Sequence, residues 1–254
     1  VALAVGANID YVEIEKQDMG TGPLVRFILA KNRLKAVFGG DGYKFVREMR
    51  GKEMIGMEYE PLYEITAVKE SGKKSWYVAE ADFVNTEDGT GIVHTAVIYG
   101  EDDYALGQKL DLPQVPLLDA AAHFNASAPE LIRGQYFKKA EKAIKEDLEK
   151  RSLLFKKEMH THSYPHCHRC GTALLYNAIS SWFINIQKIK DRMIRLNERV
   201  NWIPAHLKHG RFLNIVENAP DWTISRNRYW AAPLPIWKDE NGAVHLIGSL
   251  DELK

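Results

Sequence analysis

The sequence predicts an α+β fold in which a β-barrel is followed by a helical and loop-rich segment. Residues 1–100 carry short runs of β-branched and aromatic residues separated by turn clusters, a spacing typical of a compact β-barrel or sandwich. From Pro129 the apolar residues instead recur at steps of three and four, the period of an amphipathic helix. Beyond Trp202 the chain is dense in Trp, Asn, Arg and Pro, which indicates mainly loops.

The individual elements follow from these patterns in chain order. The opening run Val1–Val5 is apolar and predicts a strand. Five further strands are expected at Tyr11–Ile14, Val25–Ala30, Tyr63–Val68, Trp76–Val78 and Gly91–Ile98. Two helices are predicted from apolar stripes, the first formed by Phe137, Ala140, Ile144 and Leu148, and the second by Ile189, Met193, Leu196 and Val200.

We therefore expect three parts along the chain. A β-rich domain covers residues 1–128, a helix with a Cys/His-rich knuckle covers 129–176, and a final, incomplete segment covers 177–254. The chain has no initiator Met and stops at Asp251–Lys254 without a closing helix or cap, so we expect a part of a longer polypeptide.

Composition narrows the class of protein. The 254 residues are 45% hydrophobic, which is ample for a packed core. Lys and Arg number 34 and so do Asp and Glu, so contact with nucleic acid must come from a local patch rather than from a global positive field. No apolar run is long enough to span a bilayer and no secretion signal is visible, which predicts a cytoplasmic protein without a membrane partner.

The sharpest chemical pattern joins two glycines, a histidine and a carboxylate. Gly89-Thr90-Gly91 allows close backbone approach by a ligand, and His94 follows at the end of the predicted strand. Asp103 comes nine residues later, after a glycine turn, and an ionised Asp is a natural partner for a substrate ammonium. Spacing alone also allows a satisfied core histidine at 94 and a solvated turn or helix cap at 101–103.

These motifs resemble those of a known family. Gly-Thr-Gly-Ile-Val-His followed by Gly-Glu-Asp-Asp-Tyr is similar to the signature of the editing domains of isoleucyl-tRNA synthetases and their valyl and leucyl relatives. Further stretches fit the same family in the same order, namely Val1–Val5, Gly56–Leu62, His162–Cys170, Asn201–Pro204 and Asp221–Trp230. The resemblance covers nearly the whole chain and implies an editing insertion together with the return segment into the catalytic domain.

The resemblance also implies roles for single residues. His94 is expected beside the ester carbonyl and side chain of a misactivated amino acid, and Asp103 is expected to bind its α-ammonium. Gly89, Thr90, Gly91 and Tyr99 are then the expected substrate-binding residues. The family usually has a proline before the turn glycine, where this chain has Val97-Ile98, so contacts of this loop to the terminal adenosine of tRNA are in question.

The family features that lie outside the chain limit its expected activity. The family's threonine-rich strand, which helps to shape the editing pocket, is expected just before Val1, and both short ATP-binding motifs lie elsewhere in the synthetase. We therefore expect no cofactor in this chain, with ATP and Mg bound by the parent's catalytic domain. The expected partners are the tRNA(Ile) acceptor end, misactivated valine and the remainder of the synthetase chain.

The two cysteines, Cys167 and Cys170, form half of a zinc knuckle. Two thiolates cannot fill a site that requires four ligands, although His160, His162, His166 and His168 crowd the same segment. The resembled family usually has a second Cys pair upstream, outside this chain, so the resemblance implies that the parent can bind zinc.

The resemblance therefore predicts that the chain is a fragment of an aminoacyl-tRNA ligase. Its editing domain is expected to hydrolyse mischarged Val-tRNA(Ile) or valyl-adenylate, and the fragment is expected not to aminoacylate tRNA. The alternative is a non-catalytic module that only binds or positions a tRNA acceptor end. Local lysines at 138, 139, 142 and 145, and basic residues at 208, 209, 211, 226 and 228, are either solvated faces or contacts to RNA phosphates.

Overall fold

The computed structural model describes residues 1–17, 23–158, 163–226 and 232–254. Its strands are, in chain order, β1 (Ala2–Val5), β2 (Asp10–Gln17), β3 (Leu24–Ala30), β4 (Lys44–Arg50), β5 (Tyr77–Glu80), β6 (Val93–Thr95), β7 (Phe183–Ile184), β8 (Trp222–Thr223), β9 (Ile236–Lys238) and β10 (Val244–Leu246). Its α-helices are α1 (Leu34–Phe38), α2 (Gly51–Met54), α3 (Thr66–Glu70), α4 (Glu101–Lys109), α5 (Phe137–Lys150), α6 (Lys190–Asn197), α7 (Leu213–Glu217) and α8 (Leu250–Leu253).

The chain divides into two compact units, Val1–Ala178 and Ile179–Lys254. Both combine helices and strands, so the α+β class is confirmed. Of the helices in the described ranges, none has the length and apolar character needed to cross a membrane.

Strand β1 is the centre of the first sheet in the first unit. The strand order is β5-β1-β6, with β5 parallel and β6 antiparallel to β1. Ala2 and Ala4 are fully buried on one face, where Ala4 packs against Leu106 of α4. Val5 is fully buried on the other face, among residues that include Tyr11 of β2. A strand covered on both faces must be almost wholly apolar, which explains the Ala-Leu-Ala-Val sequence.

The second sheet of this unit is antiparallel, with β2 between β3 and β4. Its apolar core includes Val12, Ile14 and Leu29. Glu13 is buried between these positions, and its carboxylate accepts a hydrogen bond at 2.6 Å from Arg47, with Arg26 at 3.4 Å. Two guanidinium partners offset the desolvation of this carboxylate.

The predicted barrel is wrong. The described strands form two three-stranded sheets and two two-stranded ribbons, and none of them closes. Closure requires the last strand of a sheet to pair with the first. Among the described strands, β3 and β4 pair with no strand but β2, and β5 and β6 pair with no strand but β1. The alternating pattern of residues 1–100 correctly indicated strands, but it carries no information about which edges pair.

Most predicted elements of the first 100 residues are found, with two corrections. Tyr63–Val68 is not a strand: the chain there runs as a loop into α3, whose Val68 is buried. The run Gly91–Ile98 contains a strand of only three residues, because the backbone turns after Thr95 and Tyr99 N–H donates to Ala96 O at 2.8 Å. Strand β4 was not predicted.

Both predicted helices are confirmed. Helix α5 buries Ala140 against the cluster that contains Ala128 and Ile132, while its lysines and glutamates face outward. Helix α6 occupies the second predicted stripe and ends at Asn197.

The second unit is organised around that asparagine. Asn197 is buried, its side-chain oxygen accepts from Trp202 Nε1 at 2.8 Å, and its amide donates to Lys208 O at 3.1 Å. The rings of Trp202 and Phe212 pack with centroids 4.7 Å apart. Antiparallel pairs β7-β8 and β9-β10 complete the described part of this unit.

The turn that leads into β6 yields a stability prediction. Gly91 has a φ of +75°, and a methyl group there would lie 2.5 Å from the Ala30 Cβ. Gly134 has the same φ of +75° with open space around it. Left-handed backbone costs about 1–2 kcal/mol and overpacking about 1–3 kcal/mol more, so Gly91→Ala should lower the free energy of unfolding by roughly 2–4 kcal/mol.

Gly134→Ala is the matched control, because it bears the backbone cost alone, about 1–2 kcal/mol. Urea unfolding of both variants measures the difference. Equal losses in the two variants would show that the approach of Gly91 to Ala30 does not constrain the fold.

Candidate functional site

Strand β6 places His94 at the edge of the first sheet. His94 lies opposite Leu3 of β1, and its neighbour Thr95 pairs with Ala2 and is fully buried. The N–H of Val1 donates to Thr95 O at 2.9 Å and continues the pairing beyond β1. The His94 side chain is reached by solvent, unlike that of Thr95.

His94 borders two adjacent cavities. The first, here named the Tyr59 cavity, has a volume of about 440 Å³ and is lined by residues that include Tyr59, Leu62, Tyr63, Trp76 and His94. The second, the Tyr99 cavity, has a volume of about 480 Å³ and is lined by residues that include Val97, Tyr99, Leu117, Phe124, Phe137 and His94. The residues common to both are Val1, Ile65, Val68 and His94, so the imidazole is the polar side chain they share.

The surroundings of His94 favour its neutral form. Burial among the apolar cavity walls lowers the pKa of His94 below its usual value of 6.5, even though solvent reaches the ring through the cavities. Near neutral pH the imidazole therefore has one nitrogen that donates and one that accepts. Such a group can orient a water molecule or contact a neutral oxygen of a ligand.

Asp103 lies in the first turn of α4, which begins after Gly100. A methyl group on Gly100 would lie 2.6 Å from Asp103 Oδ2, so the glycine leaves space for the carboxyl group. Burial raises the pKa of Asp103, and the hydrogen bond from the Ala96 N–H opposes this rise. The neighbouring Asp102 is exposed, which distinguishes the two carboxyl groups.

The charge of the Val1 amino group influences both His94 and Asp103. It lowers the pKa of each, as a smaller cause than burial. His94 lines both cavities, whereas Asp103 lines neither of them. That the two face one open pocket stays a prediction.

The Gly89–Gly91 turn is packed against the protein itself. Its three carbonyl oxygens accept hydrogen bonds at 3.0, 2.8 and 2.8 Å from, in order, the Arg33 guanidinium, the Ala30 N–H and the Tyr11 hydroxyl. None of the three turn residues lines either cavity at His94. The close backbone approach foreseen for a ligand is made here by Ala30, and the turn's first observable role is to position β6.

Tyr99 lines the cavity that bears its name. Its hydroxyl oxygen accepts hydrogen bonds from the N–H groups of Leu117 at 2.8 Å and Leu118 at 3.1 Å. Tyr99 therefore fixes the loop that forms the opposite wall of the Tyr99 cavity.

Sequence reasoning did not identify the aromatic wall of the Tyr59 cavity. Gly56–Leu62 was noted only for its family resemblance, yet Tyr59 N–H donates to Trp76 O at 2.9 Å and the pairing continues along β5. This edge contact brings Tyr59 and Trp76 to the cavity that also holds His94. The aromatic and apolar residues inside that motif were the sequence feature from which this cavity wall could have been predicted.

Comparison with known proteins identifies the family. The family model described as "tRNA synthetases class I (I, L, M and V)" matches residues 4–254. The chain belongs to this family of synthetases. It aligns over its full length with the isoleucine-tRNA ligases of Clostridium novyi (strain NT) at 44% identity, Clostridium tetani (strain Massachusetts / E88) at 42% and Bdellovibrio bacteriovorus at 41%.

This synthetase chain spans 23% of the length of the Clostridium novyi relative and 24% of the other two. A solved structure described as "The crystal structure of GlLeuRS-CP1" is similar over 62% of the chain and 78% of its own length, with 12% sequence identity and a TM-score of 0.42.

In this synthetase chain the two cysteines lie in a tight hairpin. Cys167 N–H donates to Thr172 O at 2.8 Å, and Gly171 N–H donates to Cys167 O at 2.9 Å. The Thr172 hydroxyl lies 3.2 Å from Cys170 Sγ, and this contact lowers the pKa of the Cys170 thiol. The hairpin thus presents two sulfur ligands from a short turn.

A complete metal site is not formed by the residues described. Within the described ranges, no group of three or more His, Cys, Asp or Glu residues is arranged to hold a metal ion. His166 Nδ1 instead lies 2.9 Å from Tyr164 O. His160 and His162, two further candidate ligands, lie outside the described residues, as does Arg228 among the candidate phosphate contacts.

The lysines of α5 form a solvated face with internal ion pairs. Lys145 pairs with Glu141, and Lys142 lies 3.8 Å from Glu146, each one helical turn apart. Lys138 Nζ lies 4.7 Å from the centre of the Tyr164 ring. Exposed pairs of this kind contribute little to stability, and a nucleic-acid phosphate can compete for these lysines.

The His94 environment predicts its titration. NMR titration of the imidazole should give a midpoint below 6.5, with the resonance assigned by its loss in His94→Gln. Because the folded protein then binds fewer protons than the unfolded chain, His94 should make the free energy of unfolding fall as the pH drops from 6.5 toward this midpoint. A midpoint at or above 6.5 would contradict the apolar environment described here.

The cysteine hairpin predicts no stoichiometric zinc in the 254-residue chain at neutral pH, because two thiolates lack two partners. Metal analysis of the purified chain after dialysis measures this. One zinc per chain that is lost in Cys170→Ser would overturn the prediction and would show that residues outside the described ranges complete the site.

Proposed function

We propose that this chain is the editing portion of an isoleucyl-tRNA synthetase and hydrolyses the ester of mischarged Val-tRNA(Ile), or valyl-adenylate. The observation that carries the proposal is His94, shared by two apolar cavities, with the carboxyl group of Asp103 in the adjacent helix turn. All 254 residues align with an isoleucine-tRNA ligase, and this supports an isoleucyl-tRNA synthetase as the parent protein.

The chemistry of valine selection explains why such a site is needed. Removing one methylene from a ligand of a hydrophobic pocket is discriminated by only about 10- to 200-fold, and isoleucine against valine is the standard illustration of this limit. A second site that admits the smaller product and hydrolyses it removes the errors that binding cannot prevent.

The proposed step is direct hydrolysis by water. None of the described residues that line either cavity is Ser or Cys, and the hydroxyl of Thr95 at the Tyr99 cavity is fully buried, which favours water over an acyl-enzyme. The water oxygen attacks the ester carbonyl carbon, the bond to the ribose oxygen breaks, and a proton passes to that oxygen. Neutral His94 can orient the water, and Asp103 can bind the α-ammonium by a charge-assisted hydrogen bond.

The proposed partners follow from this reaction. The acceptor end of tRNA(Ile) delivers the ester, and the rest of the synthetase chain supplies the aminoacylation site with its ATP and Mg. The proposed location is the cytoplasm, where tRNA charging takes place.

A second function, positioning an acceptor end without catalysis, has one observation in its favour. Asp103 does not line the cavities that His94 borders, and the carbonyl groups of Gly89–Gly91 are all bonded to the protein. A deacylation assay on the 254-residue chain and on the full-length synthetase separates the two functions, because a positioning module binds mischarged tRNA without hydrolysing it.

In the full-length synthetase, Asp103→Ala should slow deacylation of Val-tRNA(Ile). An ammonium that loses its carboxylate partner in a partly dry pocket loses on the order of 2–4 kcal/mol, which corresponds to roughly 30- to 1000-fold in rate. Single-turnover deacylation measures the change, and isoleucine activation should be unaffected.

Asp102→Ala is the matched control, since it removes a carboxyl group from the same helix turn at an exposed position. It should leave deacylation within about twofold of wild type. If Asp103→Ala behaves like Asp102→Ala while lowering stability, Asp103 is a structural helix residue. His94→Ala should also impair editing and change which amino acid is removed.

A further inference from the structure

One wall of the Tyr59 cavity is a loop that leads toward α3. Glu60, Pro61, Leu62 and Tyr63 all line the cavity. Among the described residues, this stretch takes part in no backbone-to-backbone hydrogen bond, and the side chains of Glu60 and Leu62 are exposed. The position of this wall therefore depends on side-chain contacts.

The last turn of α5 supplies those contacts. The Tyr63 hydroxyl donates to Asp147 Oδ2 at 2.7 Å, and the Arg151 guanidinium donates to Leu62 O at 2.9 Å. Arg151 also donates to Asp147 Oδ2 at 3.1 Å, and its guanidinium carbon lies 5.3 Å from the centre of the Tyr63 ring. The three side chains of Tyr63, Asp147 and Arg151 are named here the clamp.

Tyr63 and Asp147 have the protonation states that the clamp requires. Burial raises the pKa of Tyr63 to about 12, so its hydroxyl keeps the hydrogen that it donates. The hydrogen bond from Tyr63 lowers the pKa of Asp147, and the one from Arg151 lowers it further, so this carboxylate stays ionised near neutral pH. A hydrogen bond to a charged acceptor is stronger than one between neutral groups.

Helix α5 contributes to both cavities at His94. Its residues Phe137 and Ile144 line the Tyr99 cavity, while its last turn holds the wall of the Tyr59 cavity. The helix is itself anchored by Ala140, which is fully buried in a cluster with Ile132. The clamp therefore ties an exposed loop to a packed part of the first unit.

The pairing of β6 relates this wall to His94. Directly opposite residues of an antiparallel pair project from the same face of the sheet. His94 lies opposite Leu3, and Leu3 lines the Tyr59 cavity. A group bound in the Tyr59 cavity therefore lies between the imidazole and the loop that the clamp holds.

A filter that works by size requires a fixed wall. Valine and isoleucine differ by one methylene, a difference that an apolar pocket discriminates by about 10- to 200-fold. An exposed loop without backbone hydrogen bonds opens at little cost in free energy, so it would yield to one more methylene. Hydrogen bonds to a helix oppose that movement.

We propose that the clamp sets the size limit of the Tyr59 cavity. Asp147 and Arg151 are positioning residues that hold Leu62 and Tyr63 in place, so that a valyl ester reaches His94 and an isoleucyl ester is excluded. This inference rests on the proposed editing function and adds to it the part of the wall that determines specificity.

The test compares two esters in the full-length synthetase by single-turnover deacylation. In Arg151→Ala and in Asp147→Ala, deacylation of correctly charged Ile-tRNA(Ile) should rise by roughly 10- to 100-fold, within the value of one methylene in an apolar pocket. Deacylation of Val-tRNA(Ile) should stay within about threefold of wild type, because His94 and Asp103 are unchanged. Tyr63→Phe keeps the ring and removes one hydrogen bond, so it should shift the ratio of the two rates in the same direction by a smaller factor.

Glu141→Ala is the matched control, because it breaks an ion pair of the same helix, with Lys145 one turn away, and Glu141 lines neither cavity. It should leave both rates unchanged. If the clamp variants slow both reactions in parallel, or lower the thermal midpoint without changing the ratio, the clamp is structural and the proposal is overturned.

Tyr99→Phe separates the two cavities, because it frees Leu117 and Leu118 and loosens the wall of the Tyr99 cavity. If it raises Ile-tRNA(Ile) deacylation and the clamp variants do not, the size limit lies in the Tyr99 cavity; the clamp proposal is overturned and the editing function stands. If wild-type synthetase does not hydrolyse Val-tRNA(Ile), or if neither His94→Ala nor Asp103→Ala slows that hydrolysis, the proposed function fails and the clamp proposal fails with it.

Discussion

One buried hydroxyl joins the two sheets of the first unit. Tyr11 belongs to β2 and is fully buried, yet its hydroxyl accepts from Gly6 N–H at 3.1 Å and donates to Gly91 O at 2.8 Å. These two contacts hold the end of β1 and the start of the β6 segment at a single point on the second sheet. Because β6 is only three residues long, this anchor helps to set the register that places His94 opposite Leu3. The candidate site therefore depends on a tyrosine that lines neither cavity at His94.

Local patterns predicted the elements of this fold better than their assembly. The apolar stripe of α5 and the β-branched runs of β2 and β3 record which side faces a core, and that is what periodicity measures. The strand predicted at Tyr63–Val68 is wrong because the β-branched residues Thr66 and Val68 belong to a short helix, in which Val68 is the buried residue. The barrel failed because strand closure is decided by edge pairing between distant segments, on which alternation within a strand is silent.

The same distinction applies to the site. His94 and Asp103 are close in sequence, on β6 and in the first turn of α4, so a local pattern suffices to propose them as a pair. Tyr59 and Trp76 reach His94 only because the chain returns along the edge of β5, and no sequence period encodes that return. The role of the Gly89–Gly91 turn could not be decided from the sequence. A glycine at position 91 permits close approach of a ligand, but it equally permits the positive φ and the close contact with Ala30 that are found.

The unsatisfied buried hydroxyls of the described residues belong to residues that border the two cavities at His94. Buried Glu13 has two arginine partners and buried Asn197 has a partner for each end of its amide, whereas the buried Thr95 hydroxyl of β6 has none among the described residues. The wall of the Tyr59 cavity instead combines an unpaired hydroxyl with left-handed backbone at Trp76. Together they cost a few kcal/mol, a sizeable part of the roughly 5–15 kcal/mol that stabilises a domain. Phenylalanine would fill the same volume as Tyr59 without the unpaired group. Stability gives no reason for that hydroxyl or for the unpaired Thr95 hydroxyl, whose residue lines the Tyr99 cavity, so each cavity at His94 is bordered by a residue with an unsatisfied buried group.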